Sequence, residues 1–348
     1  MKALIKTEPG VTDLELIDMP IPEPGEGEVI LKVRAVGICG SDLHMYKWEV
    51  FPPLPLIMGH EFCGEIYKVG PGVTGWKEGE FVASNVGGTC GVCQPCREGK
   101  SYLCLNKRSP GIFAPGAYAE YVKTYANMLY RVPDNISEDV AACFEPACTV
   151  LHGLKRFDIK EGDTVVVSGV GLIGLLAIHM IKRIYKAGKV MAIGIDTDEP
   201  VKFPMAKKLG ADLTINALKT NVVEEVLKNC PEGCKADVVV DCSGAIPSIK
   251  ALFDCVKRDG IYGAIGLPPA DRTIDVPWNA MVFNSLRLIT SYSHDAPDWV
   301  DVIKYVADGT LDFSECVTNV IKLEDWAQVF KNTTDPAYIK GVIKPYLK

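Results

Sequence analysis

Short hydrophobic runs separated by glycine- and proline-rich segments dominate the first third of the chain. Residues 29–36, 65–69 and 80–84 alternate apolar and polar side chains, a pattern typical of half-buried β-strands. Residues 20–27 and 71–75 are rich in Gly and Pro, which interrupt regular structure. The pattern predicts a β-rich, barrel-like unit with long loops.

A different pattern follows, in which apolar strands alternate with helical segments. Ser137 is a typical N-cap, since two acidic residues follow it, and a helix is predicted from there towards Phe157. Later helices are predicted over residues 172–185 and in a segment ending at 207–211. The predicted later strands are residues 164–168, 189–196, 237–241, 261–266, 286–290 and 340–344. Strands that are apolar throughout and alternate with helices indicate a parallel, doubly wound sheet.

Length and composition agree with a globular protein of two domains. The chain has 348 residues, of which 48% are hydrophobic and 23% charged. The net charge of −7 is spread without long runs of one sign, which disfavours nucleic-acid binding. We see no apolar stretch of membrane-spanning length and no signal peptide, so we expect a cytoplasmic protein that binds no membrane.

The thirteen cysteines do not form a disulfide framework in this interpretation, because their number is odd and no export signal is visible. Eight of them share no common spacing and are predicted to fill the core, where free cysteine is commonly found. These eight are Cys63, Cys143, Cys148, Cys230, Cys234, Cys242, Cys255 and Cys316.

Four further cysteines form a dense cluster. They are Cys90, Cys93, Cys96 and Cys104, all within fifteen residues. Four-cysteine tetrahedral sites hold structural zinc, whereas C-x2-C-x2-C also opens the iron–sulfur motif of bacterial ferredoxins. That motif has three residues before its fourth Cys and Pro after it, but here there are seven and Leu105 follows. Cysteines without a metal are disfavoured because exposed thiolates oxidise. Zinc is therefore the favoured prediction.

A glycine motif, formed by Gly169, Gly171 and Gly174, follows a predicted strand and opens a predicted helix. Backbone amides at such a helix start hold a pyrophosphate. Asp196 lies 22 residues after Gly174, where an acid binds the ribose 2′-hydroxyl and repels a 2′-phosphate. NAD is therefore predicted over NADP. The alternatives are a sheet without a dinucleotide, Gly194 in the position given to Asp196, and an Asp196 that only caps the next helix.

A third set of residues has the donor types of a catalytic zinc site with an open position. Cys39, His60 with Glu61, and Glu145 offer a thiolate, an imidazole and carboxylates from separate segments. A single His is more often structural, so the prediction depends on the combination. Adjacent His60 and Glu61 reach one metal only from an irregular turn, which Gly59 permits.

Together these motifs resemble the zinc-dependent medium-chain dehydrogenase/reductase family over nearly the whole chain, and most closely its polyol (sorbitol-type) and threonine dehydrogenases. The resemblance implies an α/β protein with a β-rich GroES-like catalytic domain, residues 1–153 and 291–348. A Rossmann domain with a doubly wound parallel sheet would occupy residues 154–290. It also implies a homodimer or homotetramer.

The resemblance further implies two zinc ions per subunit, with the structural one on the four-cysteine cluster. Its catalytic zinc ligands correspond to Cys39, His60 and Glu61. Glu145 matches a residue that either binds this zinc or holds its water. Ser41 and His44 match a relay that carries the alcohol proton through the cofactor ribose to solvent. The matching cofactor contacts are Ile173, Asp196, Ile265, Gly266, Leu267, Ser291 and Tyr292.

The substrate prediction depends on departures within the family. Tyr46 and Trp48 resemble the residues at these positions in threonine dehydrogenases. Residues 85–89, however, lack the His that this branch carries there. Animal sorbitol dehydrogenases lack the four-cysteine site, which makes the chain more similar to bacterial-type relatives. We therefore predict oxidation of a polyol or sugar-derived secondary alcohol, with or without a phosphate, by NAD. The alternative within the family is an L-threonine 3-dehydrogenase-type activity.

Two alternatives come from other classes of protein. A zinc-ribbon binding protein is disfavoured by the net charge of −7 and by the single four-cysteine cluster. A zinc-free NADPH-dependent reductase or sensor is disfavoured because Cys39, His60, Glu61 and Glu145 are all present.

Overall fold

The computed structural model describes residues 1–10, 13–269, 271–331 and 335–347. These residues form two compact units, each continuous in space but not in sequence. No helix of the described ranges has the length and apolar character needed to cross a membrane.

The strands are numbered in chain order. They are β1 (Lys2–Lys6), β2 (Glu15–Asp18), β3 (Glu28–Gly37), β4 (Leu56–Ile57), β5 (Glu61–Val69), β6 (Phe81–Ser84), β7 (Tyr121–Tyr125), β8 (Leu129–Arg131), β9 (Thr164–Ser168), β10 (Lys189–Gly194), β11 (Leu213–Asn216), β12 (Ala236–Asp241), β13 (Val256–Ala264), β14 (Arg287–Thr290), β15 (Val317–Ile321) and β16 (Lys340–Ile343).

The α-helices are shorter than the predicted ones in several places. They are α1 (Gly40–Tyr46), α2 (Gln94–Arg97), α3 (Glu138–Ala141), α4 (Phe144–Arg156), α5 (Leu172–Arg183), α6 (Lys202–Leu209), α7 (Val222–Asn229), α8 (Ile246–Cys255), α9 (Trp278–Phe283), α10 (Ala296–Ala307) and α11 (Ala327–Phe330).

Unit 1 is the β-rich unit and contains Met1–Cys148, His294–Asp308 and Val317–Lys348. Its larger sheet has the strand order β15-β16-β3-β5-β6-β8, with β7 also paired to β3, and its smaller sheet the order β2-β1-β4. Gly37 at the end of β3 pairs antiparallel with Glu61 at the start of β5. The segment after β3 and the segment before β5 therefore lie side by side.

Unit 2 contains Thr149–Ser293 and Gly309–Cys316. Its six strands are all parallel and have the order β11-β10-β9-β12-β13-β14. This is the doubly wound order 3-2-1-4-5-6, in which dinucleotides bind where the order reverses, here between β9 and β12. The central strands β9 and β12 are almost wholly buried, as their continuous valine runs predicted. The prediction of a doubly wound parallel sheet is confirmed.

The predicted helix from Ser137 towards Phe157 is wrong in one respect, since it is two helices. The Ser137 hydroxyl accepts from the Val140 N–H and caps α3 as expected. A second helix, α4, then begins at Phe144. Pro146 has no N–H to continue the first helix but is well accommodated in the first turn of a new one. This restart places Glu145 in the first turn of α4.

The two units divide the chain a few residues away from the predicted limits, at Cys148 and Ser293. Gly309–Cys316, which the prediction assigned to the catalytic domain, packs with unit 2 instead. The reason is local: the Asp312 N–H donates to Nε2 of His179, at 3.0 Å, on α5. Hydrophobic periodicity contains no signal for such a contact.

All thirteen cysteines are free in the structure. Of the eight that were predicted to fill the core, five are buried, and Cys230 and Cys242 are partly exposed. The prediction is wrong for Cys234, which is exposed in the loop after α7.

Candidate functional site

The first candidate site lies where β3 ends and β5 begins. Cys39 directly precedes α1, and His60 directly precedes Glu61 at the start of β5. The Cys39 sulfur, a His60 ring nitrogen and a Glu61 carboxylate oxygen all lie within 4.8 Å of one another. The antiparallel pairing of β3 with β5 brings these three side chains together.

The turn before His60 requires glycine. Gly59 has a φ of +88°, in the left-handed region, and a Cβ added there would lie 2.6 Å from the Tyr118 ring. A side chain at this position would therefore be strained by both its backbone and its neighbour. Gly59 thus gives the irregular turn that lets His60 and Glu61 face the same point.

Asp42 lies beside the ring of His60 and orients it. It is fully buried, and its Oδ1 lies 3.3 Å from His60 Nδ1. Its Oδ2 accepts hydrogen bonds from the Cys39 N–H and the Tyr118 hydroxyl, at 2.9 and 2.7 Å. Burial alone would raise the pKa of Asp42, but the His60 charge and these hydrogen bonds lower it below its usual value. A carboxylate beside Nδ1 leaves Nε2 of His60 for a metal.

Glu61 has a second partner besides the cluster. Its Oε2 forms a salt bridge with the ammonium of Lys340 on β16, and both side chains are buried. Lys340 also donates to the Ile38 carbonyl at 3.0 Å. Gly37 makes room for this pair, since a Cβ there would lie 2.3 Å from Glu61 Oε2.

Glu145 lies close to the same cluster. Burial and then the negative charge of Glu61 raise its pKa to about 7. His294, whose side chain is fully buried, places Nε2 3.8 Å from Glu145 Oε1. A partly exposed thiol, a buried imidazole and carboxyl groups are the donor types that fit a divalent cation of the zinc type.

The two predicted relay residues both lie on α1 but in different surroundings. The Ser41 hydroxyl is 3.3 Å from His60 Nε2, so it lies beside the cluster. His44 is exposed, and its Nδ1 is 2.5 Å from Glu49 Oε2.

The four-cysteine cluster surrounds one point, as its spacing predicted. The sulfur–sulfur distances are 3.3 Å for Cys93 and Cys96, 3.8 Å for Cys93 and Cys104, and 3.6 Å for Cys90 and Cys104. A tetrahedron with zinc–sulfur bonds of about 2.3 Å has edges of about 3.8 Å. The four sulfurs therefore fit one tetrahedral metal ion.

Backbone and amide donors stabilise thiolates in this cluster. N–H groups of Val92 and Cys93 and the Asn106 amide lower the pKa of Cys90 to about 6. The Asn106 N–H and the Cys90 N–H both reach the sulfur of Cys104, at 3.4 and 3.3 Å. Hydrogen bonds from N–H groups to the ligand atoms are typical of metal sites.

The glycine motif forms a tight turn between β9 and α5. Gly169 has a φ of +92°, and a Cβ there would lie 3.0 Å from Ser243, which follows β12. A Cβ on Gly174 would lie 1.8 Å from the Gly169 carbonyl, so no side chain fits. Gly171 is the N-cap of α5, whose first N–H groups are open to an anion.

Asp196 lies after β10 in a short 3₁₀ turn, which corrects the predicted strand limit. It is not the cap of this turn, because Asp198 accepts from the Ile195 N–H at 2.9 Å. The competing Gly194 is the last residue of β10, and a Cβ there would lie 2.5 Å from Phe203. Asp196 is thus the exposed carboxylate at this edge of the sheet.

Three further residues lie beside Asp196 and are linked to it by polar contacts. Asn216 at the end of β11 donates to Asp196 Oδ1 at 2.7 Å and to Glu199 Oε1 at 2.6 Å. Lys219 Nζ lies 2.7 Å from Glu199 Oε2. The Lys219 and Asn216 hydrogen bonds lower the pKa of Glu199, so a second carboxylate stands beside Asp196.

The other predicted cofactor residues follow strand ends of the same sheet or begin α5. Ile173 is in the first turn of α5, Ile265–Leu267 follow β13, and Ser291 and Tyr292 follow β14. The carboxyl ends of parallel strands meet at one edge, so these residues share an edge with the glycine motif.

Several residues of the sites were missed by sequence reasoning. Asp42 stands within the motif that was singled out, but no role was given to it. Lys340, His294, Asn216 and Glu199 carry no local signal, because their partners lie far away or in another element.

Comparison with known proteins gives the family. Residues 25–134 match the model of the alcohol dehydrogenase GroES-like domain, and residues 173–308 match that of the zinc-binding dehydrogenases. The L-threonine 3-dehydrogenase of Rhizobium rhizogenes is 34% identical over 336 residues, 95% of this chain and 94% of its own length.

Two solved structures agree over almost the whole chain. A putative zinc-binding dehydrogenase from Sinorhizobium meliloti, bound to NADP, has a TM-score of 0.92 and 28% identity, covering 99% of both chains. An alcohol dehydrogenase from Escherichia coli, complexed with NADH, has a TM-score of 0.90 and 27% identity, also covering 99% of both chains.

The chain belongs to the zinc-dependent medium-chain dehydrogenase family. It is an NAD(P)-dependent zinc dehydrogenase with a GroES-like domain and a Rossmann-type sheet.

Proposed function

We propose that this protein oxidises a secondary alcohol to a ketone and transfers the hydride to NAD. The observation that carries the proposal is the cluster of partly exposed Cys39 with buried His60 and Glu61, with Glu145 nearby and the Ser41 hydroxyl beside His60. These are the donors and the proton acceptor that alcohol oxidation needs in one place.

Each residue of the cluster has a definite role in this proposal. Cys39, His60 and Glu61 would hold the catalytic zinc, and Glu145 would bind it or hold its water. A zinc ion bound there would lower the pKa of the substrate hydroxyl. Ser41 would accept the hydroxyl proton as it gives up its own, and His44 on the same helix would release a proton to solvent. Asp42 fixes the ring of His60 so that Nε2 faces the metal.

The substrate that we propose is a polyol or a sugar-derived secondary alcohol. Threonine is the second candidate, because the curated relatives at 34% identity are L-threonine 3-dehydrogenases. Against threonine, residues 85–89 carry no His at the position where that branch has one. The two candidates differ in charge, since threonine brings an ammonium and a carboxylate that a neutral polyol lacks.

The cofactor that we propose is NAD. Asp196 is an exposed carboxylate held by Asn216, and Glu199 is a second carboxylate on the same amide. Both would repel the 2′-phosphate of NADP, and Lys219 is already paired with Glu199. The glycine turn supplies backbone N–H groups for the pyrophosphate.

The second metal that we propose is a structural zinc on the four-cysteine cluster, which gives two zinc ions per subunit. Four sulfurs at tetrahedral distances leave no position for a substrate, so this metal contributes to folding rather than to chemistry. The free thiols elsewhere in the chain favour a reducing compartment such as the cytoplasm.

A homo-oligomer formed through unit 2 is also proposed. β14 is the last strand of its sheet in the described part of the chain, and Leu288 on it is 42% exposed. Trp278 and Phe283 on the preceding helix α9 are 67% and 83% exposed. Large exposed apolar side chains beside an open strand edge are typical of interfaces. Phe283→Asp is expected to lower the molecular mass in light scattering, and an unchanged mass would exclude this surface.

One experiment tests the main proposal. The zinc-replete protein is assayed with NAD and NADP against polyols, sugar acids, their phosphates and threonine, and metal content is measured on the same sample. NAD reduction by a secondary alcohol with two zinc ions per chain supports the proposal. Turnover of threonine alone would make threonine the substrate in place of a polyol. Turnover that survives Cys39→Ser would contradict the proposed zinc site.

A further inference from the structure

The chain turns back on itself directly after α1 and places Glu49 over His44. The Glu49 N–H donates to the His44 carbonyl at 2.8 Å. The Glu49 carboxylate oxygen Oε2 lies 2.5 Å from Nδ1 of the His44 ring. Glu49 is therefore joined to His44 through both its backbone and its side chain.

This turn depends on an unfavourable backbone conformation at Trp48. Its φ is +59°, in the left-handed region that side chains with a Cβ rarely adopt. The Lys6 ammonium lies 5.6 Å from the centre of the indole, and the Phe51 ring contacts it edge-on at 5.3 Å between centroids. The packing of Trp48 thus holds a turn that the local sequence would not favour by itself.

The His44–Glu49 pair has little to contribute to stability. The two side chains are 59% and 53% exposed, and ion pairs with such exposure are typically worth little. Its geometry has a chemical consequence instead. When Nδ1 donates to a carboxylate, Nε2 is left as the proton acceptor of the neutral ring.

From this geometry we infer that Glu49 is a positioning residue for proton transfer, because it fixes the ring orientation and the Nδ1–H tautomer of His44. The inference rests on the proposed function, in which His44 passes the alcohol proton to solvent. The hydrogen bond from His44 also lowers the pKa of Glu49, so the acceptor is charged at neutral pH. Glu49 does not touch the reacting groups in this role and acts only through His44.

Glu49→Ala tests the inference in the zinc-replete enzyme with the best alcohol of the substrate panel. We expect kcat to fall about tenfold with little change in KM, by analogy with the loss of a hydrogen-bond partner that orients a metal-binding His. Glu49→Gln keeps an oxygen that accepts from Nδ1–H and is expected to recover most of kcat. The matched control is Glu315→Ala, which removes an ion pair with Lys208. That pair is also 2.5 Å long, and its Lys208 and Glu315 side chains are 59% and 63% exposed.

A spectroscopic measurement separates positioning from a structural effect. In ¹⁵N-histidine spectra of the wild type at high pH, His44 should carry its proton on Nδ1, and Glu49→Ala should move it to Nε2. The melting temperature should stay unchanged in Glu49→Ala and in Glu49→Gln. His44→Gln assigns the signal and measures the relay itself.

The outcomes distinguish the two claims. A lower kcat in His44→Gln together with a wild-type kcat in Glu49→Ala overturns the inference and leaves the proposed function intact. A wild-type kcat in His44→Gln contradicts the proposed relay, and the inference fails with it. A His44 tautomer that is the same in the wild type and in Glu49→Ala also overturns the inference.

Discussion

The buried ion pair between Lys340 and Glu61 gives the most quantitative prediction. Lys340→Met removes the ammonium but keeps most of the side-chain volume. In the zinc-free protein the Glu61 carboxylate, 1% exposed, then loses its cationic partner, and the Ile38 carbonyl loses its donor. Removing one partner of a buried pair costs far more than the pair itself contributes, because an uncompensated charge stays in a medium of low dielectric constant.

The expected size follows from the burial of the pair. We expect Lys340→Met to lower the free energy of unfolding by about 3–5 kcal/mol. For a unit of about 150–250 residues each kcal/mol shifts the melting temperature by about 2–4 °C, so unit 1 should melt about 6–20 °C lower. In the double variant Glu61→Gln with Lys340→Met neither charge of this pair is left buried, and only about 1–2 kcal/mol should be lost, from the Ile38 carbonyl.

Urea unfolding followed by circular dichroism, on protein freed of zinc with a chelator so that no metal compensates Glu61, compares the wild type with both variants. The control is Lys2→Met, which removes the exposed Lys2–Glu324 pair of unit 1 and should leave the free energy of unfolding nearly unchanged. The reasoning is refuted if Lys340→Met unfolds within 1 kcal/mol of the wild type. A double variant no more stable than Lys340→Met would refute it equally.

Three further predictions concern the metals and the cofactor. Cys39→Ser should lose one zinc ion per chain and nearly all turnover at an unchanged fold, measured by metal analysis and steady-state kinetics; normal activity would disprove the ligand assignment. Cys93→Ala should melt at a lower temperature while the catalytic zinc initially stays bound, since metal at a closed site contributes folding free energy; a wild-type melting temperature with two zinc ions would contradict this. Asp196→Ala should raise KM for NAD more than it lowers kcat and should reduce the preference for NAD over NADP, because the exposed carboxylate would accept from the ribose hydroxyl of NAD and repel the 2′-phosphate of NADP; an unchanged NAD to NADP ratio would exclude Asp196 as the selective residue.

Several parts of the molecule could be predicted because the signal for them is local. The valine runs of β9 and β12 are buried on both faces, and the sequence shows this as unbroken hydrophobicity. The four cysteines that start at Cys90 meet because fifteen residues of chain leave them little room to separate. The glycine turn at Gly169–Gly174 could be located for a similar reason, since its positions accept no side chain.

Other parts could be found only in the tertiary structure. The pairing of Glu61 with Lys340 joins residues 279 positions apart, and no periodicity in a single sequence records such a contact. The position of Glu145 depends on a helix that stops and restarts at Phe144, although the hydrophobic pattern there is continuous.

The local sequence therefore determines the strands, the sharp turns and the candidate metal-binding residues, because these depend on neighbours in sequence. Which carboxylate pairs with Lys340, which imidazole nitrogen faces Asp42, and which acid lies exposed after β10 were decided by packing. Burial and charge act through space, so groups such as Asp42, Lys340 and Asn216 acquire their roles only when distant segments are folded together.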